Sequence, residues 1–215
     1  MRYKGIIFDL DGVICHTDHY HYLAWKQLAD KIGVYFDETI NNRLRGVSRM
    51  DSLEIILERW TGEPLSGEEK EQLADEKNTI YKELLKQMSP KDLSPEVKET
   101  LEHLRTRGLQ LAIGSSSRNA RFILGQIGLG DFFDAISDGN NITKSKPHPE
   151  VFLMAADYLK LKPSDCLVVE DAKAGIDAAK AAGMDSAAIG DAFGYSQATY
   201  NLFTFSKLIQ ICSAQ

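Results

Sequence analysis

The sequence predicts an α/β fold, a doubly wound parallel sheet with a helical segment inserted near its start. Three observations carry that expectation. Short apolar runs at positions 5–9, 109–114, 165–170 and 185–190 have the length and texture of strands buried on both faces. Helical stretches precede the last three and close at Arg107-Gly108, Lys162-Pro163 and Ala182-Gly183, an alternation that argues for parallel strands joined by crossover helices. Between Cys15 and Leu93 the texture changes to long, charged segments of helical period, broken at Gly46, Gly62-Glu-Pro64 and Ser89-Pro90.

The first run, Gly5-Ile-Ile-Phe-Asp9, ends in acids and Gly12, so it reads as a strand followed by a loop. Residues 1–14 and 93–215 are assigned to the α/β core and 15–92 to an inserted helical cap, with both crossings able to hinge. A helix is expected around Pro95 to Arg107, and residues 201–211 are read as a closing strand and helix. Ligands of such sheets bind at the carboxyl ends of the strands.

With 215 residues and 43% hydrophobic content, the chain can bury a full core and carry a smaller insert. Cys15, Cys166 and Cys212 are odd in number and far apart, which suggests neither a disulfide framework nor a CxxC metal site. A reducing cytoplasm fits that usage. The apolar stretch Gly5 to Phe8 is too short for a signal segment or a membrane span. The formal charge is −6 and no basic stripe is present, so nucleic acid is not an expected partner. The same net field repels phosphorylated ligands, and any phosphate site must concentrate cations and backbone amides locally.

Four clusters at predicted strand ends satisfy that demand. Asp9-Leu-Asp11-Gly12 offers two carboxylates on a turning loop, one suited to act as nucleophile and the other as proton donor and acceptor. Taken alone, such a pair serves equally as a helix cap or a solvated turn. Ser115, with the amides of Ser116 and Ser117, is placed to cradle phosphate oxygens at a helix start. Lys146 lies in Ser-Lys-Pro-His-Pro, where two prolines stiffen a turn that presents an ammonium. Glu170-Asp171 closes another apolar run and, with Asp9, supplies hard oxygen ligands suited to Mg²⁺. A divalent cation and one lysine together neutralise a carboxylate nucleophile and the phosphoryl group it attacks.

FDLDG, the serine after an apolar strand, the KP-containing loop and the strand ending ED, followed by AxAGIxAAxAAGM, resemble the ordered signatures of the haloacid dehalogenase superfamily from Ile6 to Gly190. The resemblance implies a Rossmann-like core, Mg²⁺ held by Asp9, Glu170, Asp171 and the main-chain carbonyl of Asp11, an aspartyl-phosphate on Asp9, and Asp11 as general acid and base. An Asp at position 11 favours phosphoester chemistry, because transport ATPases of this pattern carry Thr there and dehalogenases another residue.

In the insert, Thr17-Asp-His-Tyr-His21-Tyr-Leu-Ala-Trp25-Lys, Leu44-Arg-Gly-Val-Ser-Arg49-x-Asp-Ser-Leu and Glu76-Lys77-Asn78-x-x-Tyr81 are similar to the cap of β-phosphoglucomutases. That similarity implies that Thr17 and His21 join Ser115 and Lys146 among the catalytic groups, with His21 coupling cap closure to Asp11. It implies that Trp25, Arg45, Gly46, Val47, Ser52 and Lys77 bind the substrate, Lys77 by a hydrogen bond to the sugar. Arg49, Ser117, Arg118 and Asn119 would then hold the phosphate that is not being transferred, with Ser116 also among the substrate-binding residues. The implied substrates are β-glucose 1-phosphate and glucose 1,6-bisphosphate, handled by a monomeric enzyme. The sequence departs from the pattern at Arg45, His16, Ser116 and Ser94-Pro-Glu96, where Lys, Asp, Ala and Leu-Pro-Gly are usual. Two alternatives stay open: a sugar-phosphate phosphatase on the same scaffold, and a non-catalytic phospho-acceptor or sensor.

Overall fold

The computed structural model describes residues 2–44 and 48–213. The chain divides into two compact units, Met1–His16 with Met88–Gln215, and Thr17–Gln87.

The first unit holds a six-stranded, wholly parallel sheet of β1 (Gly5–Phe8), β2 (Gln110–Gly114), β3 (Ala135–Ser137), β4 (Cys166–Glu170), β5 (Asp185–Ala188) and β6 (Tyr200–Asn201), in the order β3-β2-β1-β4-β5-β6. Its helices are α5 (Pro95–Thr106), α6 (Ala120–Gln126), α7 (Glu150–Tyr158), α8 (Lys173–Ala181) and α9 (Leu208–Ser213); the second unit contributes α1 (Asp18–Lys31), α2 (Glu38–Asn42), α3 (Arg49–Leu57) and α4 (Gly67–Leu85).

Burial on both faces explains why β1 is apolar throughout. Ile7 packs into a cluster with Ala112, Phe152, Ala155 and Val168, whereas the next side chain, Phe8, turns to the opposite face and stacks on Phe205 at 5.8 Å between centroids. Pro95 at the start of α5 and the Ser94 hydroxyl, which accepts from the Val97 amide at 3.2 Å, open that helix. Helices α5 and α8 are followed by Gly108 and Gly183 in the left-handed conformation. Helix α7 departs from expectation: Lys160, at φ 58°, takes the left-handed position two residues before Lys162. Pro163 instead opens a short 3-10 turn that leads into β4.

Strand β3 has no counterpart among the expected strands. Its three residues are too short to register as an apolar run, and it is recruited by pairing with β2, Ala112 opposite Ala135 and Gly114 opposite Ser137. The tail forms β6 and α9, separated by a 3-10 turn at Phe205–Lys207.

In the second unit, α4 starts from a reciprocal capping box between Ser66 and Glu69, and α3 from Ser48, whose hydroxyl accepts from the Asp51 amide at 3.2 Å. The buried stripe of α4 is Ala74, Lys77, Tyr81 and Leu85, a helical spacing that places a lysine among apolar neighbours. No helix among the described residues is long and apolar enough to cross a membrane.

Candidate active site

Strand order reverses at β1, which has β2 on one side and β4 on the other, so a crevice is expected at its carboxyl end. Asp9 is the first residue beyond that end. Its amide donates to the Val169 carbonyl at 2.9 Å, which carries the ladder one step past the strand and fixes the direction of the side chain.

Lys146, on the loop between β3 and α7, donates its Nζ to Asp9 Oδ1 and, at 2.7 Å, to Glu170 Oε2. The three side chains are 11%, 9% and 2% exposed, so the ion pairs form away from bulk water. Beneath the ammonium lies the ring of Phe152, 4.8 Å from Nζ. Burial disfavours the charge on Lys146, but Asp9 and Glu170 outweigh it and raise its pKa. For Asp9 the balance goes the other way: burial pushes its carboxyl well above the ordinary range, against the pull of Lys146 and with the push of Glu170, Asp11 and Asp171. Asp171 is raised to about 8, first by burial and then by the neighbouring Glu170.

Asp9, Glu170 and Asp171 each present a carboxylate oxygen, and these oxygens lie within 4.8 Å of one another. Three hard anionic donors, with one lysine for three carboxylates, leave a local excess of negative charge that a divalent cation would relieve. The donor set therefore fits Mg²⁺, which takes oxygen ligands and few protein carboxylates.

Two glycines hold this cluster together, a role that motif matching alone does not assign. A Cβ on Gly12 would meet Asp171 Oδ2 at 1.9 Å, and the residue is in the left-handed region at φ 82°. A Cβ on Gly175 would come within 2.0 Å of Glu170 Oε2. The start of α8 can therefore lie against the Glu170 carboxylate, whose other oxygen accepts from the Ala172 amide at 3.1 Å. Local hydrophobic pattern carries no signal for either approach; the only hint is a glycine inside an otherwise helical stretch.

Ser115 follows β2 and is buried, with its amide bonded to the Ser137 carbonyl at 3.0 Å. Its Oγ accepts from the Ser117 amide at 3.1 Å, and Ser117 Oγ accepts from the Asn119 amide at 3.2 Å. The Ser117 amide thus donates inside the turn, and two successive serine turns lead from β2 to α6, which begins at Ala120. Arg118 is exposed and Asn119 buried. Asp11 sits in the loop where Gly12 donates its amide to the Cys15 carbonyl at 2.7 Å.

The second unit has its own polar cluster. Lys77 Nζ lies 2.8 Å from His21 Nδ1 and packs over the rings of Trp25 and Tyr81, at 4.8 and 4.6 Å from their centroids. The His21 ring stacks on Tyr81 at 4.0 Å. Burial first, and the Lys77 cation second, hold His21 well below its ordinary pKa. An ammonium donor at Nδ1 places the proton of the neutral imidazole on Nε2. Thr17, buried, accepts the His21 amide on its carbonyl at 3.0 Å. Arg49 opens α3 and pairs with exposed Asp75 at 3.2 Å, and Ser52 is buried one turn along. Tyr81 is a member of this cluster that the expected site set lacks; its place in the buried stripe of α4 is the signal that marks it. Arg45, Gly46 and Val47 lie outside the described residues.

Comparison with known proteins agrees with this arrangement. Residues 3–183 match the family model of haloacid dehalogenase-like hydrolases. The chain is 44% identical over 188 residues to a beta-phosphoglucomutase of Bacillus subtilis, covering 87% of this chain and 83% of that protein. It is 34% identical to the fructose-1-phosphate phosphatase YqaB of Escherichia coli, covering 86% and 95% of the two chains. The crystal structure of a beta-phosphoglucomutase from Clostridium difficile superposes with a TM-score of 0.86 at 38% identity, covering 96% of this chain and 93% of that one. A family match over most of the length, on a parallel sheet with acidic residues gathered at its carboxyl edge, makes the chain a member of the haloacid dehalogenase-like hydrolase family.

Proposed function

We propose that the chain is a β-phosphoglucomutase, interconverting β-glucose 1-phosphate and glucose 6-phosphate through an aspartyl-phosphate and glucose 1,6-bisphosphate. The observation that carries the reading is the contact of Lys146 with Asp9 and Glu170 beside Asp171 at the carboxyl end of β1. This grouping lets one carboxylate approach phosphorus without the full repulsion between two anions. The 44% identity to a protein of that activity supports the choice of sugar.

In this reading an Asp9 oxygen forms the new bond to phosphorus as the donor's phosphorus–oxygen bond breaks, and the departing oxygen takes a proton from Asp11. In the reverse half, Asp11 takes the proton of the sugar hydroxyl as that oxygen displaces Asp9 from phosphorus. Lys146 holds the carboxylate in position and offsets its charge throughout. A bound Mg²⁺, held by Asp9, Glu170, Asp171 and the Asp11 carbonyl, would supply positive charge to the phosphoryl oxygens. Arg49 and Arg118, as planar guanidinium donors, suit the phosphate that is not being transferred. Trp25, Lys77, Ser52 and the segment 45–47 take the sugar, and Thr17 and His21 bear on Asp11.

The second reading, a sugar-phosphate phosphatase, differs only in using water as acceptor; the relation to a fructose-1-phosphate phosphatase favours it. One assay separates the two. With β-glucose 1-phosphate, Mg²⁺ and catalytic glucose 1,6-bisphosphate, the mutase reading expects glucose 6-phosphate, read by a coupled dehydrogenase, in large excess over free phosphate. Predominant release of phosphate would establish the phosphatase instead.

A further inference from the structure

The turn after β3 is built against the turn after β2. The Gly139 amide donates to the Ser117 carbonyl at 3.1 Å, and Asn140 Nδ2 donates to the Arg118 carbonyl at 2.9 Å. Asn140 is itself oriented by buried Asp138, whose Oδ1 accepts from the Asn140 amide at 2.9 Å and from Nδ2 at 3.1 Å. Asp138 is fixed in turn, because its amide donates to Asn141 Oδ1 at 2.7 Å. The approach is close enough that a Cβ on Gly139 would lie 2.4 Å from the Ser116 carbonyl oxygen and 2.9 Å from both the Arg118 amide nitrogen and its Cγ.

Arg118 is thus held by its backbone, with Gly139 packed close against it, and the residue is exposed. A long flexible cation loses several rotors' worth of freedom on gripping an anion, and anchoring its main chain beforehand lowers that cost. We infer that Asn140, seated on Asp138 and Gly139, is a positioning residue that presents Arg118 to the second phosphate of a bisphosphorylated sugar. This rests on the reading of Arg118 as a phosphate-holding group.

The test is a double-mutant cycle. Binding of glucose 1,6-bisphosphate with Mg²⁺ is measured by calorimetry in an Asp9→Asn background, where phosphoryl transfer to position 9 is blocked. Asn140→Ala, which removes the two side-chain hydrogen bonds from Nδ2 to the Arg118 carbonyl and Asp138 Oδ1, is expected to weaken binding about fivefold. Gly139→Ala, which pushes on the Ser116 to Arg118 backbone without touching the Asn140 amide, is expected to weaken it further. In an Arg118→Ala background neither change should weaken binding again, because the group they position is gone; a general loosening of the fold would give additive losses instead. Additive losses, or unchanged binding in both Asn140→Ala and Gly139→Ala, would overturn the positioning role. If Arg118→Ala itself leaves binding intact, the phosphate-holding role of Arg118 fails, and the inference falls with it for that separate reason.

Discussion

Each unit of the molecule holds a lysine largely away from water, and the two are surrounded in different ways. Lys146 faces two carboxylates across salt bridges on a rigid strand edge, whereas Lys77 faces a neutral histidine and two aromatic rings on paired helices. The contrast separates two uses of one side chain. At the strand edge the ammonium balances charge that the fold would otherwise hold uncompensated. In the helical unit it packs over the faces of two aromatic rings and donates to an imidazole.

The difference is sharpest under removal of each lysine. Lys146→Met leaves Asp9 and Glu170 buried without their cation, and should cost about 3–5 kcal/mol of stability in denaturant unfolding without Mg²⁺. Next in size, Gly175→Ala forces Glu170 away from α8; an overpacking cost of roughly 1–3 kcal/mol is expected, together with weaker Mg²⁺ binding by titration. At the small end, Lys77→Met removes two cation–π contacts and one hydrogen bond to His21 while keeping a chain of similar length, and should cost about 1–2 kcal/mol. Equal losses in Lys146→Met and Lys77→Met would break the comparison.

Proton linkage gives the two regions slopes of opposite sign. Asp171 is raised from 3.8 to about 8 in the folded chain, and Asp9 is raised with it. The metal-free folded state therefore binds more protons than the unfolded state between those values, and its stability falls as pH rises from about 4 to 8. Saturating Mg²⁺ should abolish that slope, because the cation takes the place of the protons. His21 is lowered from 6.5, so below that value the unfolded state binds more protons and stability falls as pH drops. Melting temperatures across this range, with and without Mg²⁺, should show both arms, and His21→Gln should flatten only the acid one.

The strands that the sequence announces are those whose residues are apolar on both faces: Ile6, Ile7 and Phe8, or Leu167, Val168 and Val169, sit where no solvent-facing alternation is possible. Strand β3 was illegible because three residues carry no period, and its place is dictated by β2, some twenty positions earlier. The strand ends draw attention to Asp9, Glu170 and Asp171 through local pattern. Lys146 is another matter. It lies on a loop, 137 residues from Asp9 in sequence, and only resemblance to a family could propose their contact before the structure placed the two together. The clearances at Gly12 and Gly175, and the double serine turn after Ser115, depend on atoms from distant segments and have no local signature. Lys77 and Tyr81 form the middle case, since a lysine standing in the buried stripe of an amphipathic helix can be read from spacing alone.

The central claim is that the strand-edge cluster makes Asp9 the acceptor of a phosphoryl group. The direct test is to rapidly quench the chain during turnover with Mg²⁺ and labelled β-glucose 1,6-bisphosphate, and to map the modified peptide by mass spectrometry. The account predicts one phosphoryl group on the peptide containing Asp9 and none in Asp9→Asn. Label on another residue, or full turnover in Asp9→Asn, would contradict it.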